Sequence, residues 1–327
     1  MLKFEEGTIG ASKSGYFGAP FRVALTILLV LAFIYSIDVS VLLETFDVKH
    51  VHAFAASQMF QLPALFLVAL RFGILCGARP KAYGAVLRGY CLALGLNSFV
   101  PGRMSELLKI SFISRYSDID APTITAAVFS EKVVDLAILS ALLLLGFGLI
   151  PVSSEYKYAF LMTSALAVAL VTALVLSGAR IGSGGDEKCA NAVVGFGKDV
   201  LVRLPKMFDT FTLFLLVIVS LVAWALSILV IYTILTFVLL EPVSLKQAFV
   251  VFSAMAIGRA IPGLPGSLGT YEAAIVLAMT TLGYSAEESL AAALTMRASQ
   301  VVVVTIAGLL ILCRDGTGLA RLFQGNS

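Results

Sequence analysis

The sequence predicts an all-α integral membrane protein built from two inverted repeats, each with three spanning helices and a re-entrant helical hairpin. Three observations carry this prediction. The 327 residues are 59% hydrophobic and 13% charged, with a mean hydropathy of +0.99, which is too little charge to cover a soluble surface. Apolar runs of about 20 residues, the length that crosses a bilayer core, recur along the whole chain. A Pro-Gly break inside an apolar run occurs twice. Each break precedes a Glu early in the next helix, and an ionisable residue follows 25 positions later: Glu131 after Glu106, and Arg297 after Glu272. Paired breaks with charges at membrane depth mark transporters made of two repeats.

The apolar runs cover 21–43, 51–76, 83–100, 103–115, 122–150, 158–177, 209–240, 245–262, 270–283 and 287–313. The first is too long for a signal h-region and lacks a cleavage site, so it is expected to remain as a span. Four runs are short, and a helix of about 13 residues reaches only about 20 Å. They form two pairs, 83–115 and 245–283, each joined by a Pro-Gly break. Each pair reads as a hairpin whose break lines protein or a wet cavity, because irregular backbone is not tolerated against lipid. Residues 1–153 then form the first repeat and 154–327 the second, within one membrane domain. The hydrophilic segment 178–208 reads as a short cytoplasmic connection.

Charge placement sets the orientation. With six full spans and cytoplasmic termini, fourteen Lys and Arg fall inside and three (Lys49, Lys157, Lys246) outside. That is a strong positive-inside bias. The first hairpin then enters from the inside and the second from the outside.

The first hairpin holds Asn97, Pro101, Gly102, Arg103, Glu106 and Lys109. Arg103, Glu106 and Lys109 are spaced to share one helix face. A bland account is available: Pro101 opens a helix whose dipole Glu106 complements. The other is an anion site at a helix start inside the membrane. The following span carries Glu131, Lys132 and Asp135. Each charge at mid-membrane costs about 2.5–3.5 kcal/mol on insertion scales, so these residues either lock the fold by pairing or line a wet cavity. The second hairpin holds Arg259, Pro262, Gly263, Pro265, Gly266, Gly269 and Glu272. Two prolines and three glycines within eight residues cannot form a continuous helix. Arg297 lies too deep in the last run to snorkel to either surface. It needs a carboxylate (Glu272, Glu131 or Asp135) or an anionic headgroup.

Other signals are plainer. Arg71, at a cytoplasmic helix end, reads as an interface anchor. His50 and His52 read as solvent-facing, and the four cysteines as free thiols. There is no P-loop, nucleophile elbow, metal motif or cofactor fingerprint. The expectation is therefore no catalytic residues, no metal, no cofactor, no nucleic-acid partner and no ATP-driven transport by the chain alone.

The set formed by Arg71, Asn97…Pro101-Gly102-Arg103…Glu106…Lys109, Glu131-Lys132…Asp135, Pro262…Pro265-Gly266…Gly269…Glu272 and Arg297 resembles the lysylphosphatidylglycerol synthase transmembrane family, a flippase-like family. The resemblance covers about residues 20 to 314, with Ser105 standing where the family commonly has Gly. It implies a multipass protein of the inner (cytoplasmic) membrane that moves a lipid or helps to move one. Fused members flip aminoacylated phosphatidylglycerol made by a following aminoacyl-transferase domain. With 14 residues after the last apolar run, this chain is expected to be a stand-alone member that synthesises no lipid. Stand-alone relatives are linked to glycolipid, polyprenyl-linked sugar or hopanoid pathways.

The resulting expectation is a lipid translocator. Asn97, Arg103, Glu106, Lys109, Glu131, Asp135, Arg259, Glu272 and Arg297 would line its headgroup site. Two alternatives stand beside it: an accessory subunit of an envelope-lipid biosynthesis complex, partnered by its enzymes, and a small-solute or ion transporter.

Overall fold

The computed structural model describes residues 47–97, 104–146, 192–204, 207, 209–239, 241–260, 267 and 269–322. The expected spans 21–43 and 158–177 lie outside these residues, as do Pro101, Gly102, Arg103, Pro262, Gly263, Pro265, Gly266 and Cys189. Among the described residues all regular structure is helical.

The chain begins with α1 (Val48–Leu75), capped at its start by the Asp47 carboxylate, which accepts the Val48 N–H at 2.6 Å. The His50 ring returns the favour by accepting the Asp47 N–H at 3.2 Å. This reciprocal cap turns His50 inward. It is buried, whereas the sequence placed it in solvent; His52 is exposed as expected. The helix ends in a Schellman motif, with Gly77 N–H on the Ile74 carbonyl and Ala78 N–H on that of Gly73.

After a 3₁₀ turn at Pro80–Ala82 come α2 (Tyr83–Leu96) and α3 (Met104–Tyr116). Then follow α4 (Ala121–Gly146), α5 (Ala192–Arg203) and α6 (Thr210–Leu239). The C-terminal part consists of α7 (Leu245–Ala260), α8 (Thr270–Thr281) and α9 (Ala286–Leu322). Helix α1, α6 and the Ala286–Arg314 part of α9 are long and apolar enough to cross a membrane. The segment containing α5 was expected to be a plain hydrophilic connection. Instead α5 buries Val200 against the core, and its Arg203 pairs with Asp120 at 2.6 Å.

Helices α2 and α3 run antiparallel: Asn97 meets Ser105 at the near end, and Gly89 faces Phe112 and Ile113 further along. Helices α7 and α8 do the same, with Gly258 beside Thr270 at one end and Gln247 bonded to Tyr284 at the other. Gly258 is needed for this approach, because a Cβ there would stand 2.6 Å from the Thr270 carbonyl oxygen. A second close approach joins α2 to α9. A Cβ on Gly95 of α2 would stand 2.4 Å from the Val304 carbonyl of α9.

Two larger apolar clusters hold the bundle. One gathers Phe72, Val86, Ile113, Ile124 and Leu216; the other gathers Ile231, Leu235, Phe252, Ile275 and Met296. Helices α1 and α6 contribute to both and run antiparallel between them, α1 giving Ala53 to the second cluster and Ala69, Phe72 and Leu75 to the first.

Candidate functional site

Helix α4 supplies the centre of the most heavily charged region. Glu131 and Asp135, at i and i+4, share one face, and Lys132 beside them points elsewhere. Glu131 is fully buried, whereas the Lys132 side chain is 51% exposed. The Glu131 carboxylate accepts from three sides. Arg71 of α1 donates at 3.3 Å, Lys109 of α3 at 3.2 Å, and the Tyr90 hydroxyl of α2 also donates to it. Arg71 donates as well to Asp135 at 2.6 Å and to the Ser220 hydroxyl of α6 at 3.1 Å. Five helices therefore meet through one ionic knot.

Arg71 is not the interface anchor that its position near a helix end suggested. It is 2% exposed, enclosed by partners on α4 and α6. A guanidinium is the cation suited to this place, since its planar fork serves two carboxylates at once. Lys109 is equally fixed. Its ammonium sits 4.3 Å from the centre of the Phe72 ring and 4.7 Å from that of Tyr90, an arrangement in which a desolvated cation gains from both ring faces.

Around Lys109 the knot opens into a cavity of about 100 Å³ lined by Tyr90, Asn97, Ser105, Glu106, Lys109 and Lys132, with two apolar residues of α2. Glu106 spans the mouth. One carboxylate oxygen is 2.7 Å from Lys109 Nζ and the other 3.1 Å from Lys132 Nζ. The Ser105 hydroxyl donates to the Asn97 side-chain oxygen at 3.1 Å, which ties the end of α2 to the start of α3.

The second set of predicted residues forms a separate network on α7, α8 and α9. Arg297, 8% exposed, pairs with Glu272, donates to the Ser267 carbonyl at 3.2 Å and lies 4.5 Å from the centre of the Tyr271 ring. Of the three carboxylates open to Arg297 from the sequence, Glu272 is the partner. The other Glu272 oxygen accepts the Gly269 N–H at 2.9 Å, so this residue also caps α8. Arg259 donates to the Gln300 side chain and faces the same Tyr271 ring at 5.4 Å. The Tyr271 hydroxyl donates to Gln300 at 3.2 Å.

The sequence brought Glu106, Glu131, Glu272 and Arg297 into one cluster. The structure sorts them into two. Ser299, between Arg297 and Gln300 in sequence, bonds to Ser57 of α1 at 2.7 Å, and Ser57 lies about 21 Å along that helix from Arg71 at 1.5 Å per residue. Among the described residues no ion pair joins the two networks. No group of three or more His, Cys, Asp or Glu among them is arranged to hold a metal. Several participants escaped the sequence reading of the site, among them Tyr90 and Ser220 in the knot and Tyr271 and Gln300 in the second network. Tyr90 looked like an ordinary apolar-helix residue, and Ser220 lies in a run with no other polar feature nearby.

In comparisons with known proteins, a family model, the lysylphosphatidylglycerol synthase TM region, matches residues 21–308. No curated protein and no solved structure matches the chain.

Proposed function

Because this chain belongs to the lysylphosphatidylglycerol synthase TM region family, a family of membrane domains with a lipid-related role, we propose that it moves a polar-headgroup lipid between leaflets. The observation that carries this reading is the cavity beside Lys109. It joins two ammonium groups, a carboxylate and an amide to a buried ionic knot inside a bundle with membrane-crossing helices. Intramembrane ionisable residues are rare and face cavities or one another, and here they do both. The headgroup would enter this cavity while the acyl tails stay in the bilayer. The two helix pairs, α2–α3 and α7–α8, would act as opposed re-entrant hairpins of two inverted repeats, with the α2–α9 contact at Gly95 as the hinge line between them. Arg259 and Arg297 would form the second station on the path. The positive-inside count supports cytoplasmic termini, and the family supports an inner-membrane location.

A second reading, an accessory subunit of a lipid-biosynthesis complex, is favoured by one specific observation. Arg71 is ion-paired with both Glu131 and Asp135, as in a purely structural knot. Reconstitution separates the two. Proteoliposomes should flip a fluorescent short-chain phosphatidylglycerol faster than protein-free vesicles. Lys132→Met and Arg259→Gln, both at exposed positions, should reduce the rate without loss of folded protein. Wild-type chain that flips no polar-headgroup lipid, yet co-purifies with a glycosyltransferase, overturns the translocator reading.

A further inference from the structure

Among the described residues, the charges of the cavity and the knot beneath it are balanced one for one. Arg71, Lys109 and Lys132 face Glu106, Glu131 and Asp135. The three carboxylates are not equally free to leave. Glu131 is buried under three donors, and withdrawing it would take a partner from Arg71, Lys109 and Tyr90 at once, the costly way to open a buried network. Asp135 is held at 2.6 Å by Arg71 and does not line the cavity. Glu106 does line it, has a side chain 23% exposed, and bridges the two lysines. If it swings out, Lys109 keeps Glu131 at 3.2 Å and its two aromatic faces. Lys132, half-exposed, is left facing the cavity. Among the described residues this leaves one positive charge in excess, at a vacancy lined by the two ammonium groups, the Asn97 amide and the Ser105 hydroxyl.

We infer that Glu106 is an internal stand-in for a phosphodiester: it occupies the Lys109–Lys132 pair until the phosphodiester of an anionic lipid displaces it. The inference rests on the translocator reading and names the headgroup chemistry. A singly charged diester replaces a carboxylate without changing the charge of the site, and its oxygens suit ammonium donors. The cavity of about 100 Å³ has room for a phosphate-sized group between the two ammonium groups. The rest of the headgroup would extend out past Lys132.

The test is binding to the full-length chain in detergent, with three probes: fluorescent short-chain phosphatidylglycerol, the matching diacylglycerol analogue without phosphate, and inorganic phosphate as competitor. Glu106→Gln should bind phosphatidylglycerol about tenfold more tightly than wild type, because the internal competitor has lost its charge. Lys132→Met should bind it about tenfold more weakly, and diacylglycerol binding should change in neither variant. Equal or weaker phosphatidylglycerol binding by folded Glu106→Gln overturns the inference. So does a parallel change in diacylglycerol binding. Inorganic phosphate that competes at the concentration of the lipid overturns the lipid source in favour of a soluble anion. If Glu106→Gln does not fold, Glu106→Asp takes its place: its shorter carboxylate reaches Lys132 less well, so tighter binding than wild type supports the inference and unchanged binding overturns it. The two levels fail separately. Tighter binding by Glu106→Gln without lipid flip contradicts only the translocator, whereas wild-type flip with unchanged binding contradicts only the stand-in.

Discussion

Replacing Arg71 with methionine distinguishes an interface anchor from the tie at the centre of the bundle. An anchor at a helix end loses little on replacement, within about 0.5 kcal/mol, as for most exposed sites. The structure places Arg71 at 2% exposure, with Asp135 at 2.6 Å, Glu131 at 3.3 Å and Ser220 at 3.1 Å. Removing one member of a buried pair costs about 3–5 kcal/mol, since the partner is left charged and uncompensated. Glu131 keeps Lys109 and Tyr90, so the main loss falls on Asp135, whose side chain is 33% exposed, and the expected cost lies below that range, about 2 kcal/mol. The chain has one tryptophan, Trp224, packed edge-on against Phe252 at 5.2 Å. Its fluorescence reports unfolding by denaturant in mixed micelles. Asp135→Leu added to Arg71→Met should recover most of the loss, because an apolar replacement of a buried ion pair is often neutral. The resulting coupling should be about 1–3 kcal/mol in a double-mutant cycle. Arg71→Met within about 0.5 kcal/mol of wild type would refute the assignment of Arg71 to the knot.

Gly258→Ala should destabilise by about 1–3 kcal/mol in the same unfolding titration, as overpacking does, because its Cβ meets the Thr270 carbonyl at 2.6 Å. Gly84→Ala, where a Cβ meets nothing within 4 Å, should be neutral or gain up to about 1 kcal/mol; equal effects at the two sites would contradict the α7–α8 approach. Tyr90→Phe should cost about 1.5–3 kcal/mol, the worth of a hydrogen bond to a charged group, and an unchanged melting transition would remove Tyr90 from the Glu131 shell. For topology, a cysteine at Ser285 should react with a membrane-impermeant thiol reagent from outside intact cells; labelling from the cytoplasmic side would reverse the orientation.

Much of the helical framework was readable from hydropathy. The runs 51–76, 209–240 and 287–313 correspond to α1, α6 and α9, and the paired short runs to α2–α3 and α7–α8. Their apolar stretches are long and bounded by proline, glycine or charge, so local composition was enough. Helix α5 was hidden because the polar residues at the head of its segment set the average, although Val200 and Leu204 join the core. The site was legible residue by residue but not as an assembly. Spacing put Glu131 with Asp135 and Glu106 with Lys109, because those relations live on one helix. It missed the role of Arg71, whose partners are 60 and 64 residues away. It also merged two networks that the length of α1 holds apart. His50 failed for a different reason: its burial follows from a reciprocal cap with Asp47, a relation of backbone geometry rather than of hydropathy.

The central claim is that the charged cavity beside Lys109 takes up a lipid headgroup as the lipid crosses the membrane. The most direct measurement is the rate at which fluorescent phosphatidylglycerol, placed in both leaflets of proteoliposomes, becomes accessible to a membrane-impermeant quencher. The account predicts faster loss of the inner-leaflet signal with wild-type chain than with empty vesicles, and a rate lowered by Lys132→Met at equal reconstitution. A wild-type rate equal to that of empty vesicles, for this and other polar-headgroup lipids, would contradict it.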